Sequence, residues 1–402
     1  MAKIAILTSA TGGGAGIAAK RVFNAIQATL GPEHTIELIN MQSLGEAVFA
    51  DVASHSGGSN KLFSDTHYTV EYPGYVRSFI VSYLRGFDVL NIHWCSYLIT
   101  LTEIQLLIEL GVKVVFTCHD FYYLFGGCHY PHTCTRWLTG CLSCPQVDVE
   151  RFPSYSPTHN LKIKQQIFAS PNVSLTAPSA HIVNVARQSK IVSDSNSHVI
   201  RNPVDSHFFY IDTNRPVSLL EPGKFKILLI ADSSHERRKG FSIALEALIQ
   251  LPRLLGDTEL EVAFVGHGSQ ESAESLERNG IKAYAHGHLK EPSEIARIYQ
   301  SIDAVLSASL EDNWPNILVE AYACGALAIV GPGHGCAEFV MRYGAGTVSD
   351  SYLPTDFANA AANLYNAMRE RHYNYQITDL AKFSDDHSGH QIARRFLEVY
   401  LT

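Results

Sequence analysis

Charged side chains are scarce along this chain: Asp, Glu, Lys and Arg make up only 17% of its 402 residues, and the formal net charge is −8. No basic run stands out that would neutralise many phosphates. This argues against general nucleic-acid binding and leaves room for a local anion site. No stretch of about 18 apolar residues is present to span a bilayer, and Met1 to Leu7 reads as a short apolar strand, not a secretion signal. The expected location is therefore the cytoplasm, where the eight cysteines would be thiols or metal ligands. Low-complexity tracts and short repeats are also missing. What is there, 46% apolar residues over this length, suffices for two domains with full cores.

Short, nearly continuous apolar runs recur at Ile4–Leu7, Val89–Ile92, Val112–Phe116, Ile227–Ile230, Val262–Val265 and Leu327–Val330. Amphipathic segments such as Ile17–Leu30, Thr102–Leu110, Phe241–Leu251 and Ser293–Ser301 alternate with them. Strands apolar on both faces, separated by helices, predict an α/β fold of parallel sheets covered on both sides. The turn at Val199–Asp205 and the polar, Pro-containing stretch to Gly223 mark a domain junction. The expected domains are thus 1–205 and 206–385, with 386–402 as a final helix.

Three segments carry phosphate-binding chemistry. The first strand runs into Ser9-Ala10-Thr11-Gly12-Gly13-Gly14-Ala15-Gly16 and then a helix. Glycines let backbone approach an anion, and a helix start offers unpaired amides and partial positive charge, so Gly13, Gly14 and Gly16 are candidates. By itself the turn is compatible with a dinucleotide enzyme too, Glu37 lying where a ribose acid would fall. In the second half, Ser233 to Phe241 contains Glu236-Arg237-Arg238-Lys239-Gly240, a cationic cluster at a helix start. The third and most informative stretch is Ser307 to Gly325. There an apolar strand gives way to Glu311-Asp312-Asn313-Trp314-Pro315-Asn316, and a helix carrying Glu320 ends at Gly325. Asp312 and Glu320 would both face the carboxyl edge of a parallel sheet. An Asp before a helix also serves as a simple cap.

This arrangement resembles the acidic signature of retaining glycosyltransferases of family 4, in which Glu, seven residues and Glu-Ala precede a small-residue helix. Asp312 occupies the first position here. The resemblance implies the GT-B fold: two Rossmann-like domains facing across a cleft, with the final helix crossing back to the first. It implies that Asp312, Asn313, Trp314, Pro315 and Asn316 hold the donor sugar and that Glu320 binds the ribose. It further assigns Lys239, with Arg238 second, to the diphosphate, Gly266 to a Gly-x-Gly turn, and His286 to base contact. The Gly-Arg pair usual at the strand end is absent.

In the first domain, Asn91-Ile92-His93-Trp94 and Thr117-Cys118-His119-Asp120 each follow an apolar strand. The second matches the family's histidine beside the donor sugar, so His119 would serve a sugar hydroxyl or phosphate and Asp120 would hold its ring. A capping His-Asp pair is the plainer reading. Beyond it, Cys128, Cys134, Cys141 and Cys144 fall within seventeen residues of the loop 126–146, with a Cys-x-x-Cys at the end. That spacing suits one structural zinc; two disulfides or four buried thiols are the alternatives. The cysteine loop resembles those of family members from bacterial exopolysaccharide, capsule and O-antigen pathways. Upstream, Tyr72 to Arg85 is apolar, aromatic and basic without acids. It reads as a core helix with two solvated arginines or as a segment resting on a membrane.

The implied function is transfer of a sugar from a nucleotide diphosphate sugar to a saccharide or lipid-linked saccharide by same-face attack, in the cytoplasm or on the inner face of the membrane. No cofactor is needed for that chemistry. A sugar-nucleotide 2-epimerase of the same fold and a non-catalytic scaffold are the rival readings.

Overall fold

The computed structural model describes residues 1–45, 67–147, 150–210, 223–370 and 377–402, with the side chains of 377–379 excepted. The chain divides into two compact units, Met1–Pro203 with Asp386–Thr402, and Val204–Asp385.

The first unit holds a six-stranded sheet of β1 (Lys3–Leu7), β2 (Thr35–Ile39), β3 (Val89–Ile92), β4 (Lys113–Thr117), β5 (Val173–Ala177) and β6 (Ser197–Val199), in the order β2-β1-β3-β4-β5-β6. Every pairing is parallel. The central strands are buried along their length because helices cover both faces, which is why they read as unbroken apolar runs. On one face the helix Gly13–Thr29 buries Ala19, Val22 and Ile26. These share a core with Ile392, Phe396, Val399 and Tyr400 of the last helix, Gly389–Leu401. Asn91 of β3 donates to the Tyr400 hydroxyl, and His387 Nδ1 lies 2.7 Å from the Asn202 carbonyl.

The second unit repeats the plan with β7 (Lys224–Ser233), β8 (Glu259–His267), β9 (Lys282–Ala285), β10 (Ala304–Ser307), β11 (Leu327–Val330) and β12 (Gly346–Val348). The order is β12-β11-β10-β7-β8-β9, again parallel throughout. In each sheet the strand order reverses beside the unit's first strand, between β1 and β3 and between β7 and β10. In open parallel sheets such a reversal point, outside the carboxyl ends of the strands, is the general place for a ligand site.

One expectation is corrected. Within the 72–85 stretch the helix is short, Ser78–Leu84, and Arg77 is not solvated. Its guanidinium forms a two-pronged pair with Glu103, Nη2 to Oε2 at 2.7 Å and Nε to Oε1 at 2.9 Å, and donates to the Leu98 carbonyl. Glu103 also completes a capping box with Thr100 at the start of the helix Leu101–Glu109. The acid that neutralises Arg77 comes from 26 residues away, so the local sequence looked purely basic. No helix among the described residues is long and apolar enough to cross a membrane.

Candidate functional site

The second sheet's reversal point gathers most of the charged residues singled out above. A tight 3-10 turn at Arg237–Lys239 follows β7, and Leu310, just past β10, donates its amide to the Arg238 carbonyl. This draws the two loops together. Lys239 Nζ then donates to Asp312 Oδ2 at 2.7 Å, and Arg238 Nη1 lies 3.6 Å from the same oxygen. Burial would raise the Asp312 carboxyl, but the charges of Lys239 and Arg238, with hydrogen bonds from Lys239 and the Asn313 amide, outweigh it and hold it below the usual range. Arg238 is deeply buried, gripping Glu236 through Nε and Nη2 and the Glu311 carbonyl through Nη1. Its role is to position the loop, whereas the half-buried Lys239 is the cation nearer to solvent.

Asp312 is anchored from a third side. Its carbonyl accepts from the Gly335 amide in the first turn of the helix His334–Tyr343. Sequence reasoning passed over this helix start; the Gly331-Pro332-Gly333 punctuation after β11 was the available signal. The helix Asn316–Ala323 begins after Pro315, and Gly325 at φ +91° follows its end. Glu320 lies in its second turn, buried, with the Tyr299 hydroxyl donating to Oε2 at 3.4 Å. The Trp314 side chain is 4% exposed and packs edge-on against Phe339 and Tyr343, because an indole beside this helix gains more from the core than from solvent, which leaves its backbone for any donor contact. Asn313 is also buried.

Gly266 ends β8 with φ +120°, and a Cβ there would stand 1.8 Å from the Ala231 carbonyl oxygen, so only glycine fits. Its amide donates to the Gly287 carbonyl, which brings His286 to the same sheet edge, exposed. Beside them Asp232, His267 and His288 place one ligand-type atom each within 4.8 Å of one another, all three residues exposed, with the two imidazoles stacked at 4.6 Å.

In the first unit, the Gly-rich turn leaves β1 at the reversal point, where Ser9 donates its amide to the Trp94 carbonyl beyond β3. A Cβ at Gly13 or Gly14 would meet nothing within 4 Å. Gly16 differs: a Cβ would lie 2.3 Å from the Ala10 carbonyl oxygen, so this glycine packs the helix onto its own loop. His119 Nε2 sits 2.8 Å from His93 Nδ1, the rings stacked. Burial drives both imidazoles down, His119 to about 4, so both are neutral at neutral pH. Asp120 does not orient His119 as expected. Its Oδ2 pairs with His129 Nδ1 at 2.7 Å and its Oδ1 accepts from the Tyr122 amide. The loop carrying His129 folds back on β4's exit, a tertiary event with no local signal. His129 Nε2 in turn reaches Thr69 Oγ1 at 2.8 Å.

The four cysteines of the loop are free thiols, Cys128 and Cys141 buried, Cys134 and Cys144 partly so. No disulfide links them.

Residues 224–367 match the family described as glycosyl transferases group 1. The chain is also similar, at 24% identity over 298 residues (72% of this chain and 68% of the relative), to a putative colanic acid biosynthesis glycosyl transferase, WcaC, of Escherichia coli K12. Among solved structures it resembles a glycosyltransferase from Rickettsia africae, with TM-score 0.65, 14% identity, and 99% and 97% of the two chains covered. Anabaena HepE in complex with UDP and glucose gives TM-score 0.63 at 16% identity, covering 99% of each chain. The chain has the GT-B fold. The group 1 match spans the sheet that carries Lys239, Asp312 and Glu320, so the charged cluster falls inside the matched domain.

Proposed function

We propose that this protein is a retaining glycosyltransferase of family 4 that takes a hexosyl group from a nucleotide diphosphate sugar bound to its second unit. The observation carrying this reading is the Lys239–Asp312 pair at the reversal point of the second sheet, pinned by the helix start at His334. As the glycosidic bond breaks, negative charge builds on the β-phosphate oxygen. A half-buried ammonium already held in place by a carboxylate would stabilise that charge without reorganising. Asp312 keeps Lys239 extended and would share it with the phosphate, while Arg238 stiffens the loop from beneath. Glu320 is the proposed ribose acceptor of hydrogen bonds, and Gly266 and His286 line the base side. Because HepE has been solved with UDP and with UDP-glucose, uridine nucleotides are the first donors to try.

On the acceptor side, neutral His93 and His119 would hydrogen-bond sugar hydroxyls, with no imidazolium involved. The leaving phosphate would take the acceptor proton in a same-face attack, which asks for no protein nucleophile and no catalytic metal. The relative named for colanic acid biosynthesis supports a saccharide acceptor in surface polysaccharide synthesis, with a lipid-linked saccharide as the proposed form. The protein would then work in the cytoplasm at the inner face of the membrane.

Thermal-shift titration with UDP, GDP, ADP, CMP and dTDP, followed by their sugars, tests the donor reading. One nucleotide should raise Tm by several degrees, as a ligand near 100 times its Kd adds about 2.7 kcal/mol. Lys239→Ala and Glu320→Gln should each weaken that nucleotide at least tenfold. If neither variant changes affinity, the donor site lies elsewhere.

A further inference from the structure

The loop between Gly126 and Val147 has little structure of its own. Its regular element is the single 3-10 turn Arg136–Thr139, and its apolar contribution comes from Trp137, stacked on Phe125, together with the cysteines. Such a segment ordinarily needs a cross-link to hold one conformation. The Cys-x-x-Cys segment is wound into a tight knuckle, with Gly140, Cys141 and Ser143 all in the left-handed region and the Arg136 guanidinium bonded to the Ser143 carbonyl. Gly140 is the favoured residue in that region; Cys141 and Ser143 are uncommon there. Cys128 and Cys141 belong to one buried cluster, Cys144 packs against it, and the Tyr68 hydroxyl lies 3.9 Å from Cys144 Sγ. The sulfurs nevertheless stand wider apart than a closed ligand set, since the three-member group within 4.8 Å among the described residues is Asp232, His267 and His288.

We propose that Cys128, Cys134, Cys141 and Cys144 bind one zinc ion, which closes the loop as a structural clip. The surroundings suit the charge that results. Four thiolates on Zn²⁺ carry a net −2, and a buried cation waits beside them. Lys164 Nζ lies within the core, donating to the carbonyls of Tyr122 and Phe125, with Cys128 and Cys141 among the groups that act on it. Arg136 stands near Cys144 on the solvent side. Buried lysines are costly unless paired, and Glu71, the leading acid acting on Lys164, is shared with the Tyr122 hydroxyl and the Leu101 amide. A metal-thiolate centre would give Lys164 a further counter-charge. Binding replaces up to four S–H protons by S–Zn bonds, the protons passing to solvent, and pulls the sulfurs into tetrahedral contact. A disulfide pair is the competing use of four thiols and would leave no metal.

The test is metal analysis of the untagged full-length protein made with zinc in the medium. About one zinc per chain is expected. Titration of the wild-type protein with an organomercurial should release that zinc in step with modification of the four thiols. Replacement by Co²⁺ should give the sulfur-to-cobalt charge-transfer band of a tetrahedral thiolate site. The double variant Cys141→Ser/Cys144→Ser should lose the metal, while His267→Ala should keep it. A zinc content near zero would overturn the proposal, as would metal that survives thiol modification and disappears with His267→Ala. The mercurial and cobalt measurements use unmodified sequence, so the outcome stands even if the serine variant fails to fold.

Discussion

At the residue scale, the two histidines of the first unit show how burial sets chemical character. An imidazole near water titrates around 6.5, whereas His119 is held at about 4 and His93 well below its ordinary value, with burial the leading cause in both. The unfolded chain therefore takes up protons on these groups between about pH 6.5 and pH 4 while the folded protein does not. Stability from this source is full above about pH 6.5 and falls as the pH drops toward 4. The expected loss is of order 1–3 kcal/mol for His119. Urea midpoints at pH 7, 5.5 and 4.5 should decline in the wild-type protein, and less steeply in His119→Asn. Equal slopes would mean that the imidazole is solvated and protonates freely in the native state. The identity of these histidines was legible as strand-end residues. Their mutual hydrogen bond was not, because it joins β3 to β4 across a sheet order that sequence cannot display.

Among elements, the helix Ser78–Leu84 and the residue Val76 before it leave Val76, Phe79 and Tyr83 at 37%, 46% and 44% exposure. Ile80 and Leu84 face the core, so the short helix has an apolar side in each direction. Phe79 and Tyr83, four apart, fall on one helical stripe, and Arg85 follows directly. Under the lipid-linked acceptor proposed above, this stripe would meet the headgroup region of the membrane, with Glu37, which accepts from the Tyr83 hydroxyl, as an acid beside it. Flotation with phosphatidylglycerol-containing vesicles should carry the protein up, and Phe79→Ser/Tyr83→Ser should reduce the bound fraction several-fold with little effect on Tm. Unchanged flotation of the double variant would rule this helix out as the contact. Reading the 72–85 stretch from its sequence located the apolar and aromatic character correctly. It missed the buried Arg77–Glu103 pair, since ion pairing between distant elements is invisible to local composition.

On the scale of the whole molecule, the last helix belongs to the first unit although it follows the second in sequence. Ile392, Phe396, Val399 and Tyr400 complete the core under the helix Gly13–Thr29, and Tyr400 satisfies Asn91 in the middle of the sheet. Removing residues 386–402 would expose this apolar face and leave a buried amide without its partner. We expect the truncated protein to lose several kcal/mol from the first unit while the second keeps its fold. Hydrogen exchange should show faster exchange in β1, β3 and β4 with β7, β10 and β11 unchanged. Uniform protection in both units would show that the helix is dispensable.

What the sequence determined by itself is the architecture. Apolar strands that alternate with amphipathic helices can bury both faces only as parallel, doubly covered sheets, and the Asp312 to Gly325 pattern marks where the second sheet presents its acids. Gly266 was legible only through the family's Gly-x-Gly resemblance, and the structure supplies the reason, backbone that no Cβ can enter. The tertiary structure alone decided the partners. It gave Asp120 to His129, placed the Trp314 side chain in the core, packed Gly16 onto its own loop, and set Arg238 beneath the loop while Lys239 met Asp312. The physical reason is range: hydrophobic period and turn chemistry act over a few residues and survive in the sequence, whereas an ion pair or a buried hydrogen bond depends on which distant strands become neighbours.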